Sequence, residues 1–226
     1  MEINKNSIQE LANRIVKEND LFLLSTPNEK KVIVAEDCLI RIQAQQLIPY
    51  CGIFINNPKE LQQIPQSIQA QINTPEVGIQ CESCAKGSLF LSYVGRANKF
   101  DGSELVPTND IFDAQHKKLL EIFSIRELAY IEFAFEGQQY INYEDPKSFY
   151  EEDKKPILFT EEEQKKAILF YIEYGGQYKD QYSSEINYDN FQSIFDENNE
   201  DFFEETNGRL IAICENIIKN NGEFIL

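Results

Sequence analysis

The sequence predicts a mainly α protein: one multi-helix domain around a central apolar helix, with at most a small β-hairpin. Three observations predict it. Ser7–Glu10, Ser124–Glu127 and Thr160–Glu163 have the capping-box spacing, and each heads a run with apolar residues every three or four positions. The segment Cys81–Asn98 is apolar around most of its circumference, as a helix enclosed by others must be. The chain of 226 residues is 42% hydrophobic and 12% aromatic, too apolar to stay disordered and long enough to bury a core.

Taken in order, Ile8, Leu11, Ala12, Ile15 and Val16 give the first helix its stripe, and it should stop near Asn19–Asp20. Leu21–Leu24 reads as extended, and Pro27–Asn28 as a loop. Ala35, Cys38, Leu39, Ile42 and Leu47 then have helical spacing. The β-branched run Val32–Val34 offers a strand instead, which is where the hairpin, within 21–35, would lie. Residues 48–80 contain Pro49, Gly52, Pro58, Pro65 and Pro75, which break elements, and read as loop with one short helix near 59–71.

The central helix, Cys81–Asn98, has only Glu82, Lys86 and Arg96 as charged residues. Cys84, Gly87, Ser88, Ser92 and Gly95 make one side of it small. A helix over Asn109–Phe123 follows, and the next runs from Ser124 to Glu136 with Gly137 as its stop. Residues 137–159 read as loop. The helix capped by Thr160 carries Ala167, Ile168, Phe170, Tyr171 and Tyr174. The last helix, from Glu204 or Arg209 to Asn221, buries Leu210, Ile213, Cys214, Ile217 and Ile218 and stops at Gly222. No repeat or linker divides the chain, so residues 1–226 read as a single domain with an acidic part over 140–205.

Composition removes several functions. One His excludes a His-rich metal site or a multi-His proton relay. No GxxxxGK[ST], GxGxxG or GxSxG is present. Asp196–Asn207 fails as a calcium loop because its sixth position is Asp201 and its twelfth Asn207. No apolar run approaches the ~18 residues of a membrane span. Five cysteines, an odd number, suit a reducing compartment, and the expected location is cytoplasmic.

Charge is unevenly spread. The chain has 38 acids and 21 bases, a net −17, and residues 1–100 are neutral overall. The excess is densest in Asp180–Glu205, where Asp180, Glu185, Asp189, Asp196, Glu197, Glu200, Asp201, Glu204 and Glu205 occur with no Lys or Arg. Tyr182, Tyr188, Phe191, Phe195, Phe202 and Phe203 are interleaved with them, which a free acidic tail would lack. Such a stretch either keeps the protein soluble or recognises a basic partner. It disfavours direct nucleic-acid binding, because a duplex repels it.

Cys81 and Cys84 form a CxxC, yet no second ligand pair accompanies it, so zinc is not expected. A redox reading would need a strand before the helix and a thiol of low pKa. The plain reading is two small reduced thiols packed on the central helix. Glu132, among Tyr130, Ile131, Phe133 and Phe135, reads as a carboxylate paired with Arg96 or Arg126, as one exposed on one helix face, or as a buried acid or ligand. Glu136, one turn later, reads as solvated.

The run Cys81-x-x-Cys84-Ala85-x-Gly87-x-Leu89-Phe90-x-Ser92-x-Val94 resembles a segment of a family of uncharacterised bacterial and phage-type proteins of similar length. Ile131-Glu132-x-Ala134-Phe135-Glu136 and the stretch Arg209–Gly222 are similar to segments that follow it there. The resemblance runs from Ile8 to Gly222 and implies one full-length domain. It carries over no activity.

The leading expectation is a non-enzymatic interaction or inhibitor protein. Its acidic, aromatic-bearing surface, Tyr188 included, would occupy a basic surface on another protein, as a nucleic-acid mimic blocks a nuclease or defence protein. No cofactor, metal or membrane is expected. The alternative is a small-molecule-binding protein or enzyme with a site at Cys81, Cys84, Arg96 and Glu132.

Overall fold

The computed structural model describes residues 17–18, 20–50, 81–97, 118–137, 159–174 and 206–226. Of these, 73% are helical, and the strands form one small two-stranded sheet. The fold is mainly α. No described helix is long and apolar enough to cross a membrane.

Helix α1 spans Pro27–Gln43. The proline expected to mark a loop instead occupies the first turn, where its missing N–H costs nothing. Thr26 and Glu29 close a capping box there: Thr26 N–H donates to Glu29 Oε2 at 2.7 Å, and Glu29 N–H donates to Thr26 Oγ1 at 3.4 Å. Residues 20–24 are helical, not extended, and Ser25 Oγ donates to Leu21 O at 2.8 Å where they end. The hairpin expected within 21–35 is therefore absent, its place taken by helix.

The sheet lies elsewhere and is parallel. Strand β1, Leu47–Pro49, pairs with β2, Cys81–Ser83, in the register Leu47↔Cys81 and Pro49↔Ser83. Three-residue strands do not hold by themselves. Here Tyr50 N–H donates to Ser83 O at 2.9 Å, and the Thr206 hydroxyl donates to the Pro49 carbonyl. The expected central helix accordingly gives up its first residues to β2 and begins one residue after Cys84, as α2, Ala85–Ala97.

Helix α3 spans Ile125–Glu136, α4 Glu161–Glu173 and α5 Thr206–Lys219. The expected boundaries of α3 and the expected start of α4 hold. Thr160 and Glu163 close their box, but Ser124 forms only half of one. Ser124 Oγ accepts from Glu127 N–H at 3.1 Å, while the Glu127 carboxylate turns away to Lys31. A cation from α1 outcompetes a backbone amide for that carboxylate.

Helix α5 ends in a Schellman motif, with Gly222 N–H on Ile217 O at 2.8 Å and Asn221 N–H on Ile218 O at 3.2 Å. The left-handed residue of that motif is Asn221, and Gly222 follows it, also at positive φ. The first-helix stripe before Lys17 and the loop expectations for 51–80 and 138–158 lie outside the described residues. So does the expected helix before Lys118, whose last turn is seen at 118–122.

Among the described residues one apolar core draws on α1 to α5 and on the helical turn before α1, from Phe22 to Phe224. α5 lies most extensively on α1, α1 on α2, and α3 bridges α2, α4 and α5. Every described side chain of Ser83–Val94 is buried, so α2 is the central helix the sequence indicated. Tyr93 donates to Glu121 Oε2 at 2.5 Å and ties the turn before α3 to it.

Gly222 sits against the first turn of α1. A Cβ there would lie 2.4 Å from Asn28 O and 2.7 Å from Asn28 Cα, and φ is +95°. Gly222→Ala should therefore cost about 2–3 kcal/mol in urea unfolding, combining left-handed strain with backbone displacement. A loss below about 0.5 kcal/mol would show that the two segments separate freely.

The α4 box is also pH-sensitive. The Thr160 N–H, then Arg126, hold the Glu163 carboxyl below its ordinary range. A depressed folded pKa gives stability that is present above the unfolded value and lost as pH falls through the folded one. Between neutral pH and about pH 3, the parent should lose more melting temperature than Glu163→Gln. Parallel acid limbs would contradict this.

Candidate functional site

The four residues expected to make a pocket do not come together. Cys84 sits immediately before α2 and Arg96 near its end, about 18 Å apart along the axis at ~1.5 Å per residue. Cys81 is in β2, and its side chain is not described. Cys84 and Glu132 do share one layer, but Arg96 belongs to another.

In the first layer the organising residue is Lys86. It lies on a helix with no solvent-facing side and is 0% exposed. An ammonium without water needs a carboxylate, and Lys86 Nζ lies 2.5 Å from Glu132 Oε2. Glu132 was expected to pair with Arg96 or Arg126. It pairs with neither. Arg126 precedes Glu132 by six residues, roughly 240° around α3, so the two project to different faces. Arg126 reaches Glu163 on α4 at 2.6 Å instead. Glu136 is four residues beyond Glu132 and shares its face, and it is buried rather than solvated.

This layer sets the chemistry of Cys84. Burial first, then the Glu132 charge, push its thiol up to about 12, while Lys86 pulls the other way. Such a thiol is almost wholly protonated at neutral pH and a poor nucleophile. Ser83 and Ser88 hydroxyls satisfy one another at 2.8 Å. The layer is a packed polar joint between α2 and α3, and the CxxC is split between a strand and a helix start.

In the second layer Asp37 of α1 is the hub. Its Oδ2 lies 2.5 Å from Arg41 Nε and its Oδ1 2.7 Å from Arg96 Nε, with Glu18 3.5 Å from Arg96 Nη1. A third joint surrounds Arg209 on α5. It is 0% exposed, with its guanidinium 4.2 Å from the Tyr171 ring centroid and 5.8 Å from that of Phe135. Stacking on aromatic faces is favourable for a weakly hydrated guanidinium. Lys86, Asp37 and Arg209 were not singled out from sequence. Lys86 could have been, since a lysine on an all-round apolar helix has nowhere to go but a buried carboxylate.

A surface groove of about 670 Å³ opens where the starts of α1, α3 and α4 meet. Tyr130 and Phe159 form part of its lining, with ring centroids 5.1 Å apart. Its rim is charged but internally matched: Lys31 meets Glu127 at 2.6 Å and Arg126 meets Glu163 at 2.6 Å. Among the described residues no cluster of three or more His, Cys, Asp or Glu could hold a metal ion.

The residues expected to bind a partner, Asp180, Glu185, Tyr188, Asp189, Asp196, Glu197, Glu200, Asp201, Glu204 and Glu205, lie outside the described residues. The charge of the described part bears on them. It holds 16 acids and 12 bases, a net −4, out of 38 and 21 in the chain. The remainder therefore carries net −13. No protein-family model, curated protein or solved structure matches the chain.

The buried pair generates a prediction. Lys86→Met leaves the Glu132 carboxylate without its cation and should cost about 3–5 kcal/mol in urea unfolding. Adding Glu132→Leu should recover most of that, since a buried ion pair and a packed apolar pair are often comparable. Strictly additive losses in the double-mutant cycle would mean the two groups do not interact in the folded protein.

Proposed function

We propose that this protein is a non-enzymatic interaction or inhibitor protein that presents the acidic, aromatic-bearing stretch Asp180–Glu205 to a basic surface on another protein. A nucleic-acid-binding protein, such as a nuclease or defence protein, has the matching surface. The observation that carries this reading is where the charge is spent. Lys31, Arg41, Lys86, Arg96, Arg126 and Lys166 are all engaged by carboxylates inside the described helices. The helical assembly is thus close to self-neutralised, and most of the net −17 falls outside it. With 17 more acids than bases, complete internal pairing is arithmetically excluded.

An uncompensated acidic stretch raises the rate at which a basic surface is encountered and repels nucleic acid itself. The interleaved rings supply what charge alone lacks, which is short-range contact that slows dissociation. The rival site at Cys84 and Glu132 has less support. Lys86 already occupies the Glu132 carboxylate, and the Cys84 thiol is buried and protonated.

The test compares the parent with Glu197, Glu200, Asp201 and Glu204 all changed to Lys. Capture from the native host should yield a basic, nucleic-acid-binding protein with the parent. Binding should weaken as salt shortens the range of the field from roughly 8 Å at physiological ionic strength. The reversed variant should lose it while keeping the parent's helical spectrum and melting curve. Retention of the same partner at unchanged affinity would make the stretch a solubility device.

A further inference from the structure

The segment Glu223–Leu226, beyond the Schellman motif of α5, is seated on the helices. Phe224 is buried, with its ring centroid 5.9 Å from that of Tyr130 on α3 and 5.9 Å from that of Phe170 on α4, edge-on to both. Edge-to-face pairs of this kind favour one orientation of the ring. Leu226 is half-buried and packs against both apolar clusters. Ile225, between them, is 52% exposed, and Glu223 is exposed too.

One side chain holds the backbone. Asn216 Nδ2 donates to Ile225 O at 2.7 Å, and Ile225 N–H donates to Asn216 Oδ1 at 2.9 Å. Asn220 Nδ2 donates to the same Oδ1 at 3.0 Å, which orients the amide. A residue that gives both its N–H and its C=O to one neighbour does what a hydrogen-bonded residue in paired strands does. The Asn216 amide thus stands in for an adjacent strand. Phe224 and Leu226 then share one face and Ile225 takes the other, as their burial shows.

Main-chain bonds to an extended segment, with pockets for alternate side chains, are the contacts of a peptide-recognition site. The segment is also one wall of the groove where α1, α3 and α4 begin. About 670 Å³ stays open beside it, within the roughly 300–1,000 Å³ of ligand sites, so a second segment can approach while the first is in place.

We propose that Tyr130, Phe170 and Asn216 form a docking site for an extended Phe-x-Leu segment of a partner protein, which Glu223–Leu226 occupies in cis as an autoinhibitory strap. The seated segment defines the chemistry of the partner. Tyr130 and Phe170 take a Phe ring, the Asn216 amide takes the backbone of the next residue whatever its side chain, and the groove edge takes Leu. A partner must displace a strap whose short tether gives an effective concentration of about millimolar. The docking residues lie outside Asp180–Glu205, so this surface is independent of the acidic one.

The test titrates a fluorescently labelled, acetylated peptide of residues 220–226 into the full chain carrying Phe224→Ala. That change vacates the pocket and leaves every docking side chain on the helices in place. The variant should bind the peptide at least about 10-fold more tightly than the parent, whose strap competes. Its melting temperature should rise with peptide concentration. A peptide carrying Phe224→Ala should not bind, and one carrying Ile225→Ser should bind as well as the original. Adding Asn216→Leu to the protein should remove binding. If the Phe224→Ala protein does not fold, the full chain with Ile225→Pro replaces it, because that change removes only the N–H that Asn216 accepts and loosens the strap. Absence of binding to the folded variant overturns the proposal, and so does equal binding of the original and Phe224→Ala peptides. A parent that dimerises with rising concentration, while Phe224→Ala stays monomeric, would make a second copy of this chain the occupant and overturn the assignment to a partner protein.

Discussion

A lysine with no route to water constrains this structure more than any other residue. Lys86 stands in the first turn of a helix that is buried on every side, so its ammonium must meet a carboxylate that is itself brought inward. That requirement fixes the rotation of α3, because Glu132 has to face α2. Glu136, on the same face, then goes inside as well. The rotation of α3 in turn places Phe133 and Tyr130 against Phe159 ahead of α4, and turns Arg126 outward to Glu163. The other joints repeat the solution with different chemistry. Asp37 is gripped by two arginines from two helices, and Arg209 is held over aromatic rings. Buried charges of this kind add little net stability, but a wrong rotation would strand one of them, and that is costly.

The helices were legible in the sequence because their determinants are local. Thr160–Glu163, Gly137 and the stripe Leu210, Ile213, Cys214, Ile217 act within one or two turns, and the structure places them where that local chemistry directs. Reading failed where a distant partner decides. Leu21–Leu24 looks extended as a four-residue apolar run, yet only Phe22 is buried in the helix it forms. Cys81–Ser83 continues an apolar helical pattern but is drawn off by a neighbouring strand, Leu47–Pro49, that the pattern cannot show. Glu127 has capping-box spacing and abandons the box for Lys31, 96 positions away. Glu132 was recognisable as a buried carboxylate, but its partner was assigned by charge alone, without the helical phase that excludes Arg126.

The same division applies to function. The carboxylate excess is a property of the sequence and needs no coordinates to be recognised. What the helices add is that six of the twelve bases in the described residues, Lys31, Arg41, Lys86, Arg96, Arg126 and Lys166, already meet carboxylates of the helical assembly. The groove where α1, α3 and α4 begin illustrates the point. Its rim holds three cations and three carboxylates, and Lys31 and Arg126 each already meet one of those carboxylates.

Helix α2 and its buried lysine organise the rest of the described structure. Native-state hydrogen exchange tests it directly. The amides of Leu89–Val94 should exchange only through global unfolding, with protection equal to the free energy from urea denaturation, while the ends of α4 and α5 open at lower cost. If the α2 amides instead exchange by local opening, faster than those of α5, the central helix is not the element on which the others depend.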